Sequence, residues 1–233
     1  MRYIILDTET TGLSPALGHR IIEVAAVEMI NRRLTGKHYH CYFNPEREID
    51  VGAQQVHGIT LEFLQDKPKF ADGSQELLAF IAGGELVIHN APFDVGFLDH
   101  ELARLDLEPV KTYCNGVIDT LKLAKELHPG QKNNLDALCK RYAVDNANRT
   151  LHGALLDAEL LAEVYLAMTR GQESLMIDIA PVAQIVATQT SLTPAMPLSV
   201  LYASADELAA HAALLTDIDQ VSQGACIWNK VQS

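Results

Sequence analysis

Basic residues are scarce in this chain and nearly absent from its end. Of 18 Lys and Arg in 233 residues, only Lys230 lies beyond residue 170, and the formal net charge is −12. A basic arm that would grip nucleic acid by itself is thereby excluded. Residues 1–170 hold 17 Lys+Arg against 24 Asp+Glu, a balance of −7, and residues 171–233 hold 1 against 6, a balance of −5. If four of the acids in the first part bind two divalent cations, that part becomes roughly neutral and suits a strand delivered by a partner. The four cysteines, Cys41, Cys114, Cys139 and Cys226, form no Cys-x-x-Cys pair, which argues against disulfides and zinc and for reduced thiols in a cytosol. No apolar run of about 18 residues exists to span a membrane. Met1-Arg2 leads directly into a strand without a signal-peptide pattern, so a cytoplasmic protein is expected.

What is present starts almost at once. Tyr3 to Leu6 is a short aliphatic run that reads as a buried strand, and Asp7-Thr8-Glu9-Thr10-Thr11-Gly12-Leu13 follows. Side chains alternate faces along an extended chain, so Asp7 and Glu9 point the same way. Two carboxylates so placed raise each other's pKa unless a cation sits between them. Hard cations such as Mg²⁺ use one or two carboxylates plus substrate phosphates. Thr10 to Gly12 then turn the chain and offer backbone N–H groups to a nucleotide.

Further along, Ile21–Ile30 and Lys37–Phe43 read as strands joined by a turn at residues 31–36, an antiparallel meander. His38 and His40 on the second of these suit an exposed strand face better than a metal. Residues 44–60 read as irregular. Helices are expected at Gly73–Ala82, Phe93–Leu105, from Asp119 or Thr120 to about His128, at Leu135–Tyr142, and from His152 to Met168, with a strand at Glu85–His89. A meander followed by strand–helix alternation argues an α/β fold with a mixed sheet flanked by helices. From Gly171 to Pro197 the chain is rich in Pro, Thr, Gln and Ser and reads as a flexible linker. Residues 198–233 regain order, with a strand-like run at Leu198–Tyr202. Ser204 and Glu207 have capping-box spacing ahead of a short helix with Leu208, Ala212 and Leu215 on one face. Ile227 and Trp228 near the terminus suggest a partner surface.

Asp7, Glu9, Asp94 and Asp157 each stand at an element boundary after an apolar segment, where a sheet and two helices can converge. Four carboxylates can hold two cations about 3.5–4 Å apart, one activating water and one stabilising the leaving oxygen. His152, five residues before Asp157, would diverge from it by about 140° on a continuous helix. It therefore belongs on the loop entering the helix, where an imidazole of ordinary pKa about 6.5 can take the water's proton. Singly, the two helix acids suit first-turn positions favoured by the dipole and His152 suits a loop; the set of five is what argues for chemistry.

Asp7-x-Glu9, His89-Asn90-Ala91-Pro92-Phe93-Asp94 and His152-x-x-x-x-Asp157 resemble, in order, the three motifs of the DEDDh 3′→5′ exonucleases, a branch of the ribonuclease H-like superfamily. Residues 31–36 (Asn-Arg-Arg-Leu-Thr-Gly), 56–59 (Val-His-Gly-Ile), 135–139 (Leu-Asp-Ala-Leu-Cys) and 149–158 (Arg-Thr-Leu-His-Gly-Ala-Leu-Leu-Asp-Ala) narrow the resemblance to the proofreading subunits of bacterial replicative polymerases. It implies a ribonuclease H-like nuclease domain at 1–170, with Asp7, Glu9, Asp94 and Asp157 as ligands of two Mg²⁺ or Mn²⁺ and His152 as general base. The same resemblance places the 3′-terminal nucleotide against Asp7, Glu9, Thr10, Thr11, Gly12, Leu13, His57, Asn90, Phe93 and Asp157. One departure stands out: members often carry Glu five residues before the nucleotide-binding His, where this chain has Gly52.

In the tail, Gln172-Glu173-Ser174-Leu175-Met176-Ile177 resembles a sliding-clamp-binding peptide, with Gln172, Leu175 and Ile177 as pocket residues. Gln189-Thr190-Ser191-Leu192 is a rival that lacks the last apolar residue. Residues 198–233 resemble a polymerase-binding segment, with Leu201, Leu208, Leu215, Ile227 and Trp228 as contacts. The implied partners are a DNA 3′ end, the polymerase catalytic (alpha) subunit and the sliding clamp; a small theta-like subunit stays open. Two other readings fit the residues: a free-standing single-strand DNA or RNA exonuclease, and an adaptor that bridges polymerase and clamp with catalysis secondary.

Overall fold

The computed structural model describes residues 1–147, 149, 151–170, 203–222 and 228. The chain divides into two compact units, Met1–Asp178 and Ile179–Ser233. The first is built on β1 (Arg2–Thr10), β2 (Ile21–Ile30), β3 (Arg33–Tyr42), β4 (Glu85–Ile88) and β5 (Gly116–Asp119), with helices α1 (Val51–His57), α2 (Leu61–Leu64), α3 (Phe70–Ile81), α4 (Ala91–Ala103), α5 (Thr120–Leu127), α6 (Leu135–Tyr142) and α7 (Ala154–Met168). The strands form one sheet in the order β3-β2-β1-β4-β5. β1 pairs antiparallel with β2 and β2 with β3, while β1–β4 and β4–β5 are parallel. This is the expected mixed sheet flanked by helices.

Period-two alternation sorts the two cores. Ile4 and Leu6 pack with Phe43, Phe70, Ile81 and Phe97 on the face covered by α3 and α4. Ile5 packs with Val87, Leu138, Leu161 and Val164 on the face covered by α6 and α7. Both clusters are fully dry at their centres. The same alternation, carried onward, sends odd residues of β1 toward α7 and even ones toward α4.

Several boundaries differ from expectation. β1 does not stop at Leu6 but runs through both acids to Thr10, because β2 pairs with it residue by residue as far as Ile21. The turn after β2 is only Asn31 and Arg32, both at positive φ (49° and 63°), so β3 begins at Arg33 rather than at residue 37. Residues 44–60 are not wholly irregular. They contain α1, whose only buried residue is His57, so no apolar stripe announces it. Gly58 at φ 71° closes that helix, its N–H donating to the carbonyl of Gln54. α3 starts at Phe70, three residues earlier than expected. β5 went unrecognised because it is four residues long and only partly buried. Asp119 does cap α5, accepting from the N–H groups of Leu121 and Lys122.

In the second unit α8 spans Ala205–Val221, longer than expected, with the capping box formed between Ser204 and Glu207. Leu208 and Ala212 are exposed and Leu215 is half-buried, and Leu214, Ile218 and Trp228 are also exposed. The residues proposed for the clamp (Gln172, Leu175, Ile177), the rival peptide at 189–192, and Leu201 and Ile227 lie outside the described residues, as does the linker. Among the described residues no helix is long and apolar enough to cross a membrane.

Candidate active site

The acids converge as the alternation demands. Asp7 and Glu9 project from β1 on the α7 side, where Asp157 occupies the first turn of α7. Thr8, on the other face, donates its hydroxyl hydrogen bond to Asp94 Oδ1 at 2.7 Å, tying the first turn of α4 to the strand between the two acids. All four carboxylates and His152 line one cleft of about 330 Å³, together with Thr8, His89, Phe93, Asp136 and Arg149. His152 sits on the loop ahead of α7, its N–H donating to the carbonyl of Val56 at the end of α1. Glu9, His152 and Asp157 each bring one ligand atom to within 4.8 Å of the others.

Burial and mutual repulsion hold three of these carboxyls toward their protonated forms. Burial first, then Asp94, Glu9 and Asp157, hold the Asp7 carboxyl well above its usual range. Glu9 is pushed up to about 8, by burial and then by Glu23, its register partner on β2. Burial raises Asp94 to about 7 even though the Thr8 hydrogen bond pulls it down. His152 is lowered by burial and by the neighbouring Arg149, which keeps the imidazole neutral. An oxygen-rich donor set whose crowded carboxyls ionise reluctantly without a cation, beside a neutral imidazole, fits a hard divalent cation. Asp7, Glu9, Asp94 and Asp157 are the residues that would hold it.

A second pocket of about 420 Å³ adjoins the cleft, lined by Thr8, Glu9, Thr10, Gly12, Leu13, Gly52, Val56, His57 and Phe93. Thr8, Glu9 and Phe93 belong to both. His57 is buried; its Nδ1 accepts from the Ile59 N–H, while Nε2 is buried without a partner. Gly12 is required for packing, since a Cβ there would lie 2.3 Å from the His19 ring. At Gly52 a Cβ would meet nothing within 4 Å, so the absent acid leaves this side of the pocket open.

Two expected contacts are not brought to either pocket. Thr11 is fully buried, its hydroxyl paired with His19 Nδ1 and accepting from the Arg20 N–H. Asn90 is exposed at φ 66° and donates its backbone N–H to Asp119, which makes it the hinge into α4. His40 is engaged at 2.7 Å by Glu23, and His38 is exposed outside the cleft. Four site residues escaped the sequence reading. Thr8 could have been found from its place between the acids. Glu23 reaches the cluster only through strand register, and Arg149 and Asp136 only through the loop before α7.

The exonuclease family RNase_T matches residues 4–165. The DNA polymerase III subunit epsilon of Pasteurella multocida (strain Pm70) is 50% identical, over 98% of this chain and 94% of that protein. That of Escherichia coli (strain K12) is 49% identical over 97% of each. Among solved structures, exonuclease X in complex with 5′-overhanging duplex DNA is 29% identical with a TM-score of 0.56, covering 72% of this chain and 91% of that one. The chain therefore belongs to the exonuclease family and, within it, to the DNA polymerase III epsilon subunits.

Proposed function

We propose that the chain is the proofreading 3′→5′ exonuclease of a replicative DNA polymerase, removing a mismatched 3′-terminal nucleotide as its 5′-monophosphate. The observation that carries this reading is the meeting of four carboxylates and one neutral imidazole in a cleft beside an apolar pocket of nucleotide size. Asp7, Glu9, Asp94 and Asp157 would hold two divalent cations, Mg²⁺ or Mn²⁺, which would supply activation of a water and neutralise charge on the scissile phosphate. His152 takes the proton of the attacking water, a role worth roughly 10²–10⁴ in rate. As the new P–O bond forms, the bond to the 3′ oxygen of the shortened strand breaks, and that oxygen takes a proton from solvent water. Leu13 and Phe93 flank the terminal base, and the unpartnered Nε2 of His57 offers it or its sugar a hydrogen bond. Thr10 and Gly12 line the same pocket beside the terminal nucleotide. Selectivity follows from fraying, since an unpaired end costs less to draw into a single-strand site.

The three-part division into nuclease (1–170), linker (171–197) and polymerase-binding segment (198–233) accounts for the acidic balance. A tethered module gains an effective concentration up to the millimolar range, so weak intrinsic DNA affinity suffices. The exposed Leu208, Leu214, Ile218 and Trp228 support docking of the tail on the catalytic (alpha) subunit, with Leu201, Leu215 and Ile227 as further contacts. Residues 172–177 are assigned to the sliding clamp; a theta-like subunit would meet the nuclease, and the assembly works in the cytoplasm. The test is Mg²⁺-dependent digestion of paired and mispaired 3′ ends by wild type and His152→Ala. Faster digestion of the mispaired end, lost in the variant, is expected; equal digestion by both proteins would refute the assignment. Capture of the polymerase catalytic subunit by the full chain should fall when Leu208 and Trp228 are replaced by Asp.

A further inference from the structure

Arg149 belongs to the cleft, yet the motifs give it no task. Its side chain is 5% exposed and its guanidinium meets three groups at once. Nε donates to Asp157 Oδ1 at 2.5 Å and Nη2 to Asp157 Oδ2 at 2.6 Å, a parallel fork that engages both oxygens of that carboxylate. Nη1 donates to Asp136 Oδ1 at 2.6 Å. Nη2 also donates to His152 Nδ1 at 3.0 Å. A guanidinium has only donors, so Nδ1 is the acceptor, and a neutral His152 then carries its proton on Nε2. The carboxylate held by the fork is the same one whose oxygen gathers with Glu9 and His152 as a potential ligand set. Asp136, by contrast, is about half exposed and stands at the start of α6, outside the group of four acids.

We propose that Arg149 is a positioning residue that gates metal loading, holding Asp157 and the Nδ1 lone pair of His152, then yielding Asp157 to a divalent cation and freeing Nδ1 while it stays paired with Asp136. The inference rests on the acid cluster being a metal site. Its physical basis is competition: a guanidinium and a divalent cation a few ångströms apart repel, and both draw on the oxygens of one carboxylate. Opening the fork also releases Nδ1, so the imidazole becomes a proton acceptor only once the acids are neutralised from within. Such coupling would keep the general base silent in an unloaded site.

The experiment is Mn²⁺ binding to the full chain by calorimetry, with the electron paramagnetic resonance signal of free Mn²⁺ as a second readout. Wild type, Arg149→Gln and Arg149→Lys are compared, with Asp7→Ala giving the baseline of surface binding and circular dichroism in EDTA checking the fold. Arg149→Gln should bind Mn²⁺ about tenfold or more tightly than wild type, as expected for loss of a charge-assisted fork. Arg149→Lys, which keeps the charge but cannot fork, should fall between. Equal or weaker binding by a folded Gln variant overturns the gate and leaves Arg149 a structural clamp. A Lys variant indistinguishable from wild type beside a tighter Gln variant overturns the fork in favour of bare charge. If the Gln variant fails to fold, the Lys variant decides alone, tighter binding supporting the gate and any other result overturning it. Wild type that binds no Mn²⁺ above the Asp7→Ala baseline overturns the metal reading, and the gate with it.

Discussion

Replacing Asp7 by Asn removes one acid, itself half-buried, from a set whose other three members are buried, and leaves its volume unchanged. In the wild type without metal, Glu9 is raised from 4.5 to about 8, in part by its acidic neighbours. The sign follows from comparing the states. Below about pH 4.5 both folded and unfolded chains keep the Glu9 proton, and stability carries no penalty. As pH rises the unfolded chain releases that proton while the folded one retains it, so stability is lost progressively until about pH 8 and is level beyond. Each pKa unit is worth about 1.4 kcal/mol, so Glu9 alone sets an upper bound of about 5 kcal/mol on this loss. Asp7 and Asp94 lie in the same direction. Asp7→Asn removes the carboxyl that burial, Asp94, Glu9 and Asp157 hold high, and a gain of 1–2 kcal/mol would raise the melting temperature by roughly 2–8 °C for a chain of this size. The assay is thermal melting in EDTA at about pH 5.5 and pH 8.5. Wild type should melt lower at the higher pH, Asp7→Asn should melt above wild type there, and saturating Mn²⁺ should reverse that order. Asp7→Asn melting below wild type in EDTA at the higher pH, or a wild-type melting point that rises with pH, would refute the reasoning.

His152→Ala should lower kcat on a mispaired primer by roughly 10²–10⁴ with little change in KM, measured by single-turnover digestion. Thr8→Val keeps shape but deletes the hydrogen bond that lowers Asp94; Asp94 should rise further and apparent Mn²⁺ affinity at neutral pH should fall, read by calorimetry. Gly12→Ala drives a methyl into the His19 ring and should cost about 1–3 kcal/mol in urea unfolding. Gly52→Glu places an acid in the first turn of α1 with open space around it and should add about 1 kcal/mol. Any loss of stability there would contradict the open geometry.

The strand-borne half of the site was legible because it depends on a local rule. Alternation alone puts Asp7 and Glu9 on one side, and first-turn placement alone explains why Asp94 and Asp157 can approach them. The second pocket was legible in part from the turn after Glu9, and its other residues only through resemblance. One of its walls is α1, a seven-residue helix that buries nothing but His57 and so lacks the periodicity by which helices are recognised. Thr11 and Asn90 sit in motif positions but serve the backbone, a distinction invisible until the hydroxyl of Thr11 is seen on His19 and Asn90 is seen with positive φ. Arg149 was hidden for a different reason. Its partners span α6, α7 and the loop between them, and no pattern of spacing shows that one guanidinium meets all three.

The site's dependence on strand register explains why the sheet must be as dry and well paired as it is. β1 is sandwiched between β2 and β4, with Ile4, Ile5 and Leu6 fully buried. A slip of one residue would turn Asp7 and Glu9 toward α4, carry Thr8 toward α7, and exchange the apolar residues between the two cores. Each exchanged side chain would enter a core shaped for another, a packing misfit of about 1–3 kcal/mol apiece. Packing against two differently shaped cores therefore helps to fix the register. The irregularity between Glu9 and Thr10 then ends strict pairing immediately past the last acid, where Thr10, Gly12 and Leu13 line the second pocket. Charge repulsion that would scatter four acids on a mobile surface is here imposed by a strand that has no cheaper place to go.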